Sequence, residues 1–185
     1  MNRGELLKTI QSILTPAEIK YLNKECFFAN TLKEIILESD CICHELVGAL
    51  RWLSKYGDAS LCGKLYLIID ECIKGESPYT YFNYWELRVE IYWKNKDLLN
   101  AKRYCLSVIG ISKNVSDYIK NELKNPNWLR SNAYNRMAMI LTKEKEFEQL
   151  IKLCEKAKFE GWEGDWDKRI DGAKKKLEKQ KGGKP

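Results

Sequence analysis

The stretch AYNRMAMILTKEKEFEQLIKLCEKAKFEG, residues 133–161, decides the fold. Tyr134, Met137, Ala138 and Leu141 stand at i, i+3, i+4 and i+7, and Phe147, Leu150, Ile151, Cys154 and Ala157 carry the same period onward. That spacing puts each set on one stripe of a helix. The link between them, Thr142-Lys143-Glu144-Lys145-Glu146, is short and charged, so the two helices must fold back and bury their stripes against each other. The expected unit is an antiparallel αα-hairpin.

The register recurs upstream. A shift of 49 residues lays Tyr134 on Trp85, Ala138 on Val89, Leu141 on Tyr92, Phe147 on Leu98, Leu150 on Ala101 and Cys154 on Cys105, without a gap. A fainter copy runs through Leu46, Leu50, Leu53, the Gly57-Asp58 turn, Cys62, Tyr66 and Ile69. Its different offset points to inserted short helices rather than a strict solenoid.

At these residues the chain resembles the tetratricopeptide repeat, whose pattern runs from an aromatic through a small residue to a turn and a closing Ala. Here it reads Tyr134, Met137, Ala138, Leu141, Lys145-Glu146-Phe147, Leu150, Cys154 and Ala157. The earlier copy reads Trp85, Arg88, Val89, Tyr92, Lys96-Asp97-Leu98, Ala101, Cys105 and Val108. It departs from the pattern at Arg88, where a large apolar residue is usual; Leu150 departs where a small one is, and both copies lack the closing Pro. The resemblance implies an all-α fold: antiparallel αα-hairpins stacked as a short tetratricopeptide-like superhelix, with inserted short helices and a C-terminal capping helix. It also implies a ligand face beside the packing stripes. The matching positions are Asn83, Glu86, Leu87, Glu90, Trp93 and Lys94 in one copy and Asn132, Asn135, Arg136, Met139, Thr142 and Lys143 in the next.

Composition agrees with a globular chain. Of 185 residues, 44% are hydrophobic and 31% charged, enough for one helical domain over residues 1–180 with a flexible basic tail at 181–185. The longest apolar run, Leu65 to Ile69, is too short to cross a bilayer, and no apolar signal core follows Met1, so a cytoplasmic protein is expected. Seven cysteines, most on apolar stripes, then read as reduced core thiols rather than a disulfide framework. The net charge of +6 belongs to the end of the chain, because residues 168–185 hold eight basic and two acidic groups while the rest balances.

Local signals place the remaining helices. Leu6, Leu7, Ile10, Ile13 and Leu14 mark the first, and Thr15-Pro16 with Glu18 forms a capping box for the second. Asn30 or Thr31 can cap a third through Glu38 and Ser39 or Asp40 a fourth through Tyr56, the alternative being one kinked helix, and Asp58 can cap the next, which Gly75 is placed to end. Ser77-Pro78 opens a helix in which Tyr79, Tyr81, Phe82, Tyr84, Trp85, Tyr92 and Trp93 are too many rings for one buried face. They can serve as core, interface or ligand site. Asp97 to Lys113 is expected to pair back, with an inserted helix at Asp117 to Leu123 and Pro126 opening the hairpin quoted first.

Catalytic signals are sparse. Cys41, Cys43 and His44 form an incomplete ligand set, since Cys43 leaves the face that Cys41 and His44 share, so neither a metal nor another cofactor is expected. Gly48 stands where an HExxH motif needs its second His. Glu86 and Glu90, one turn apart, could do acid–base work only if burial separated their pKa values.

Three readings follow. The first is a non-enzymatic module binding a protein or peptide through Glu86, Glu90, Trp93, Lys94, Asn132, Asn135, Arg136, Met139 and Lys143; the later row resembles a polar clamp for an acidic peptide or a carboxyl terminus, while the two carboxylates and the indole of the earlier row favour a mixed-charge ligand with an apolar anchor. The second is nucleic-acid contact through Lys174, Lys175, Lys176, Lys179 and Lys181. The third is an enzyme with a carboxylate site at Glu86 and Glu90. No membrane partner is expected.

Overall fold

Capping chemistry sets the helix boundaries in the computed structural model, which describes residues 3–27, 31–39, 42–56, 59–125 and 129–182, with 59, 181 and 182 by backbone alone. Helix α1 (Arg3–Ile13) ends before Thr15, whose side chain accepts from the Glu18 amide while Glu18 reaches back, and α2 (Pro16–Glu25) follows. Thr31 and Glu34 form a second capping box that opens α3 (Leu32–Glu38). Then come α4 (Ile42–Tyr56), α5 (Ala59–Cys72), α6 (Pro78–Lys94), α7 (Leu98–Asn121), α8 (Asn132–Glu144), α9 (Phe147–Glu160) and α10 (Trp166–Gly182). Among the described residues there is no strand, so the protein is all-α. None of these helices is long and apolar enough to cross a membrane.

Asn30, Asp40, the Gly57-Asp58 turn and Pro126 lie outside the described residues. The inserted helix expected at Asp117–Leu123 is instead the end of α7, a single helix of 24 residues. Val115, Ser116 and Ile119 continue its buried stripe, and no proline interrupts the segment.

The chain divides into two compact units, Met1–Thr80 and Tyr81–Pro185, where the sequence suggested one domain. In the first, α4 and α5 form a hairpin, while α1 packs on α3 and α5. Leu22, Ile36, Leu46, Leu50, Leu65, Ile68 and Ile69 are sealed in its core, each leucine or isoleucine worth ~1.5–3 kcal/mol by burial. Lys64 of α5 pairs with Glu18 of α2 at 2.8 Å and, with the Thr15 backbone, holds that carboxyl down at about 2.

In the second unit α7 packs on α8, α8 on α9 and α9 on α10. Its two hairpin turns close alike. The Lys96 amide bonds the Trp93 carbonyl and the Asp97 amide that of Tyr92; 49 residues later, Lys145 bonds Thr142 and Glu146 bonds Leu141. These are Schellman closures, with Lys96 and Lys145 in the left-handed region at φ 61° where glycine is usual. The expected core stripes are inside, with Ala101, Cys105, Val108, Tyr134, Ala138, Cys154 and Ala157 sealed from solvent. Arg88 is buried too, its guanidinium 4.4 Å from the Tyr104 ring centre and donating to the Tyr84 hydroxyl at 2.9 Å. A long apolar stem and a cation–π contact let it stand in a core position.

Candidate functional site

Helix α8 is fixed at its start by a carboxylate from α6. Ser131, the N-cap, donates to Glu86 Oε1 at 2.5 Å, and the Asn132 and Ala133 amides donate at 2.9 and 3.2 Å. Glu86 thus sits on the positive end of the α8 dipole. Burial nevertheless pushes its carboxyl up to about 7, because desolvation outweighs the three hydrogen bonds. Expected from the sequence on a ligand face, Glu86 is instead buried, with both oxygens occupied.

One turn on, Glu90 is held bidentate by Arg136 of α8 at 2.9 and 3.0 Å. The Arg136 guanidinium also lies over Trp93, 4.8 Å from the ring centre, and the ion pair keeps it firmly charged. Three of the residues picked from sequence therefore meet, but Arg136 grips Glu90 and Trp93 of its own chain. Asn135, the residue before Arg136 on α8, donates to the Ser131 carbonyl and accepts from Arg169. Asn132 is exposed, with its amide on Glu86.

Beyond Arg136 a groove opens at the turn end of the α6–α7 hairpin. Its walls are Trp93, Leu98, Leu99, Met139 and Ile140, and its volume is about 1220 Å³, above the ~300–1,000 Å³ usual for small-molecule sites. Leu99 is 80% exposed and Met139 45%. Lysines 94, 96, 102 and 143 rim it. Lys102 is neutralised by Glu144 at 2.6 Å, whereas Lys94, Lys96 and Lys143 are exposed and form no ion pair with a described residue. The lip therefore carries about three uncompensated positive charges over an apolar floor. Lys96 and Leu98 entered the sequence reading only as repeat-pattern positions, and Leu99 and Lys102 did not enter it. The available signal was Leu99, an apolar residue one place off the Leu98–Ala101–Cys105 stripe.

A second, smaller cavity of about 260 Å³ lies at the turn end of the α8–α9 hairpin, where Thr142, Phe147 and Leu150 face Arg169, Ala173 and Lys176 of α10. There Phe147, Leu150 and Ala173 are buried, and the Lys176 ammonium lies 5.6 Å from the Phe147 ring centre. Helix α10 holds itself down by Trp166, Ile170 and Ala173 and leaves Lys174, Lys175 and Lys179 on its outer face. The Lys181 side chain is outside the described residues.

Sequence reading missed a polar hub. Glu160, at the end of α9, is only 2% exposed and accepts from Ser112 at 2.6 Å, Tyr134 at 2.8 Å and Trp162 at 2.9 Å, besides a contact with Lys156. Burial alone would raise its carboxyl, but those donors together hold it below its ordinary value. Cys43 is buried and His44 exposed, and among the described residues no three His, Cys, Asp or Glu side chains are grouped to hold a metal. Cys41 lies outside those residues. No family model matches the chain, and no curated protein or solved structure is detectably similar to it.

Proposed function

We propose that this chain is a non-enzymatic, tetratricopeptide-like helical module of the cytoplasm that binds an acidic, apolar-anchored segment of another protein in the Trp93–Leu99–Met139 groove. The observation that carries the reading is the pairing of an uncovered apolar floor with three unneutralised lysines. Solvent exposure of Leu99 and Met139 is unfavourable by the usual area rule, and covering them supplies affinity. Lys94, Lys96 and Lys143 select carboxylates at the rim and repel basic segments. Arg136 contributes by bracing Trp93 as a rigid wall rather than by reaching the ligand. Neither Glu86 nor Glu90 is free for proton transfer, one being buried under α8 and the other gripped by Arg136.

A photoreactive phenylalanine analogue at position 99 tests this in cells. Adducts should form there, and their cross-linked peptides should be rich in Asp and Glu beside apolar residues. The same analogue at Leu67, 59% exposed in the first unit, should give far fewer. Equal yields at both positions, or adducts with basic segments, would refute the assignment. A second reading, polyanion contact along the outer lysines of α10, is favoured by the exposure of Lys174, Lys175 and Lys179 on one short helical stretch.

A further inference from the structure

Two thiols meet in the first unit, where the start of α4 passes the end of α5. Cys43 Sγ lies 2.9 Å from Cys72 Sγ, against about 2.05 Å in a disulfide bond. The two differ in access, Cys43 being 1% exposed and Cys72 half-buried. Beside them opens a cavity of about 310 Å³, lined also by Arg3, Ser39, Glu71, Lys74 and Glu76. Cys105 and Cys154 of the second unit, by contrast, are sealed, and burial lifts their thiols to about 12 and about 11. Those two fit the reading of inert core thiols; the Cys43–Cys72 pair does not.

We propose that Cys43 and Cys72 form an oxidisable dithiol site that exchanges with small disulfides such as glutathione disulfide. Cys72, the accessible member, attacks as thiolate. Its sulfur bonds one sulfur of the small disulfide and expels the other as a thiolate, leaving a mixed disulfide on the protein. Cys43 loses its proton to water and attacks the Cys72 sulfur, and the second small thiolate leaves. Two electrons pass from the protein pair to the small disulfide, and no other reactant is needed. The hydrogen bond to Cys72 and then burial raise the Cys43 thiol, which suits the resolving rather than the attacking role. The new bond would tie together the open end of the α4–α5 hairpin across 29 residues of chain. It would thereby restrict the unfolded state.

The test is to equilibrate the intact, folded chain in glutathione buffers of graded redox ratio, trap free thiols by alkylation and map disulfides by peptide mass spectrometry. The expected result is one intramolecular Cys43–Cys72 link, reversed by excess reduced glutathione, with the oxidised form melting about 5 °C or more above the reduced one. In Cys43→Ser, the mixed disulfide should accumulate at Cys72. In Cys72→Ser, Cys43 should stay unmodified. A folded wild-type chain that keeps both thiols free in oxidised glutathione, or links Cys26 to Cys62 in preference, would overturn the proposal. So would a Cys43→Ser chain that takes up no glutathione at Cys72.

Discussion

Glu86 makes the stability of the second unit depend on pH in a direction opposite to that of an ordinary salt-bridged carboxylate. Its carboxyl stands at about 7 in the folded chain against an ordinary 4.5. The folded state therefore keeps a proton that the unfolded state has already released between those two values. Stability from this group is complete below pH 4.5 and falls as pH rises toward 7. At ~1.36 kcal/mol for each pKa unit, the gap amounts to about 3 kcal/mol. The perturbation is Glu86→Gln, which keeps the shape and an acceptor for the α8 amides but cannot ionise. Urea unfolding followed by tryptophan fluorescence suits the purpose, since five of the six tryptophans, all but Trp52, belong to the second unit. Subtracting wild-type from variant stability at each pH cancels the titrating groups that do not interact with Glu86, and among its neighbours Glu90 and Cys105 do. The difference should climb by about 3 kcal/mol between pH 4.5 and pH 8 in favour of Gln. A flat difference would refute the burial argument. A falling one would show that the bonds from Ser131, Asn132 and Ala133 outweigh desolvation.

The other predictions concern the core, the hub and the basic helix. Ala157, sealed where α9 meets its neighbours, should not tolerate Arg: burying an unpaired charge and overpacking the contact should cost several kcal/mol in urea unfolding, and a cost within about 0.5 kcal/mol of zero would disprove the register. Glu160→Leu strands the Trp162 indole N–H, while Ser112 and Tyr134 keep the Ile109 carbonyl and each other, so a loss of about 1–3 kcal/mol is expected by the same assay for the one orphaned donor; an unchanged midpoint would mean the hub is not formed. If α10 contacts single-stranded nucleic acid, changing Lys174, Lys175 and Lys179 together to Gln should flatten the log–log salt dependence of binding by about two; an unchanged slope would remove that reading.

What the sequence made legible is local. Thr15 and Thr31 announce helix starts because their partners, Glu18 and Glu34, lie three residues on. The hairpins are legible because their stripes repeat within a turn or two. The partners of Glu86 are 45 to 47 residues away and those of Glu160 include Ser112, 48 away, and no periodicity encodes such pairings. For the same reason Glu86 and Arg136 looked like ligand-facing residues. Both stand beside a stripe, and only the packing of α6 on α8 reveals that they satisfy each other's helices.

The two hairpin turn ends of the second unit argue that the open groove is a property of particular side chains and not of the architecture. The turns close with the same two bonds and the same left-handed lysine, and α7 and α9 begin 49 residues apart at Leu98 and Phe147. In the α8–α9 hairpin the seam is narrowed to a cavity of about 260 Å³: Phe147 is 7% exposed and α10 crosses it with Ala173 and Lys176. In the α6–α7 hairpin the helix facing the seam is α8, and it presents Met139 and Lys143. Leu98 is a smaller plug than Phe147 and remains 36% exposed, while Leu99 stands where the later hairpin has Glu148. An apolar residue replacing a charged one at an exposed turn end gains nothing for folding and favours association. One seam is thus largely covered by its own chain, while the equivalent seam is left larger, apolar and lysine-rimmed. Packing alone would favour the smaller opening in both places, and the difference is what the proposed docking of an acidic, apolar-anchored segment on Leu99 and Met139 would account for.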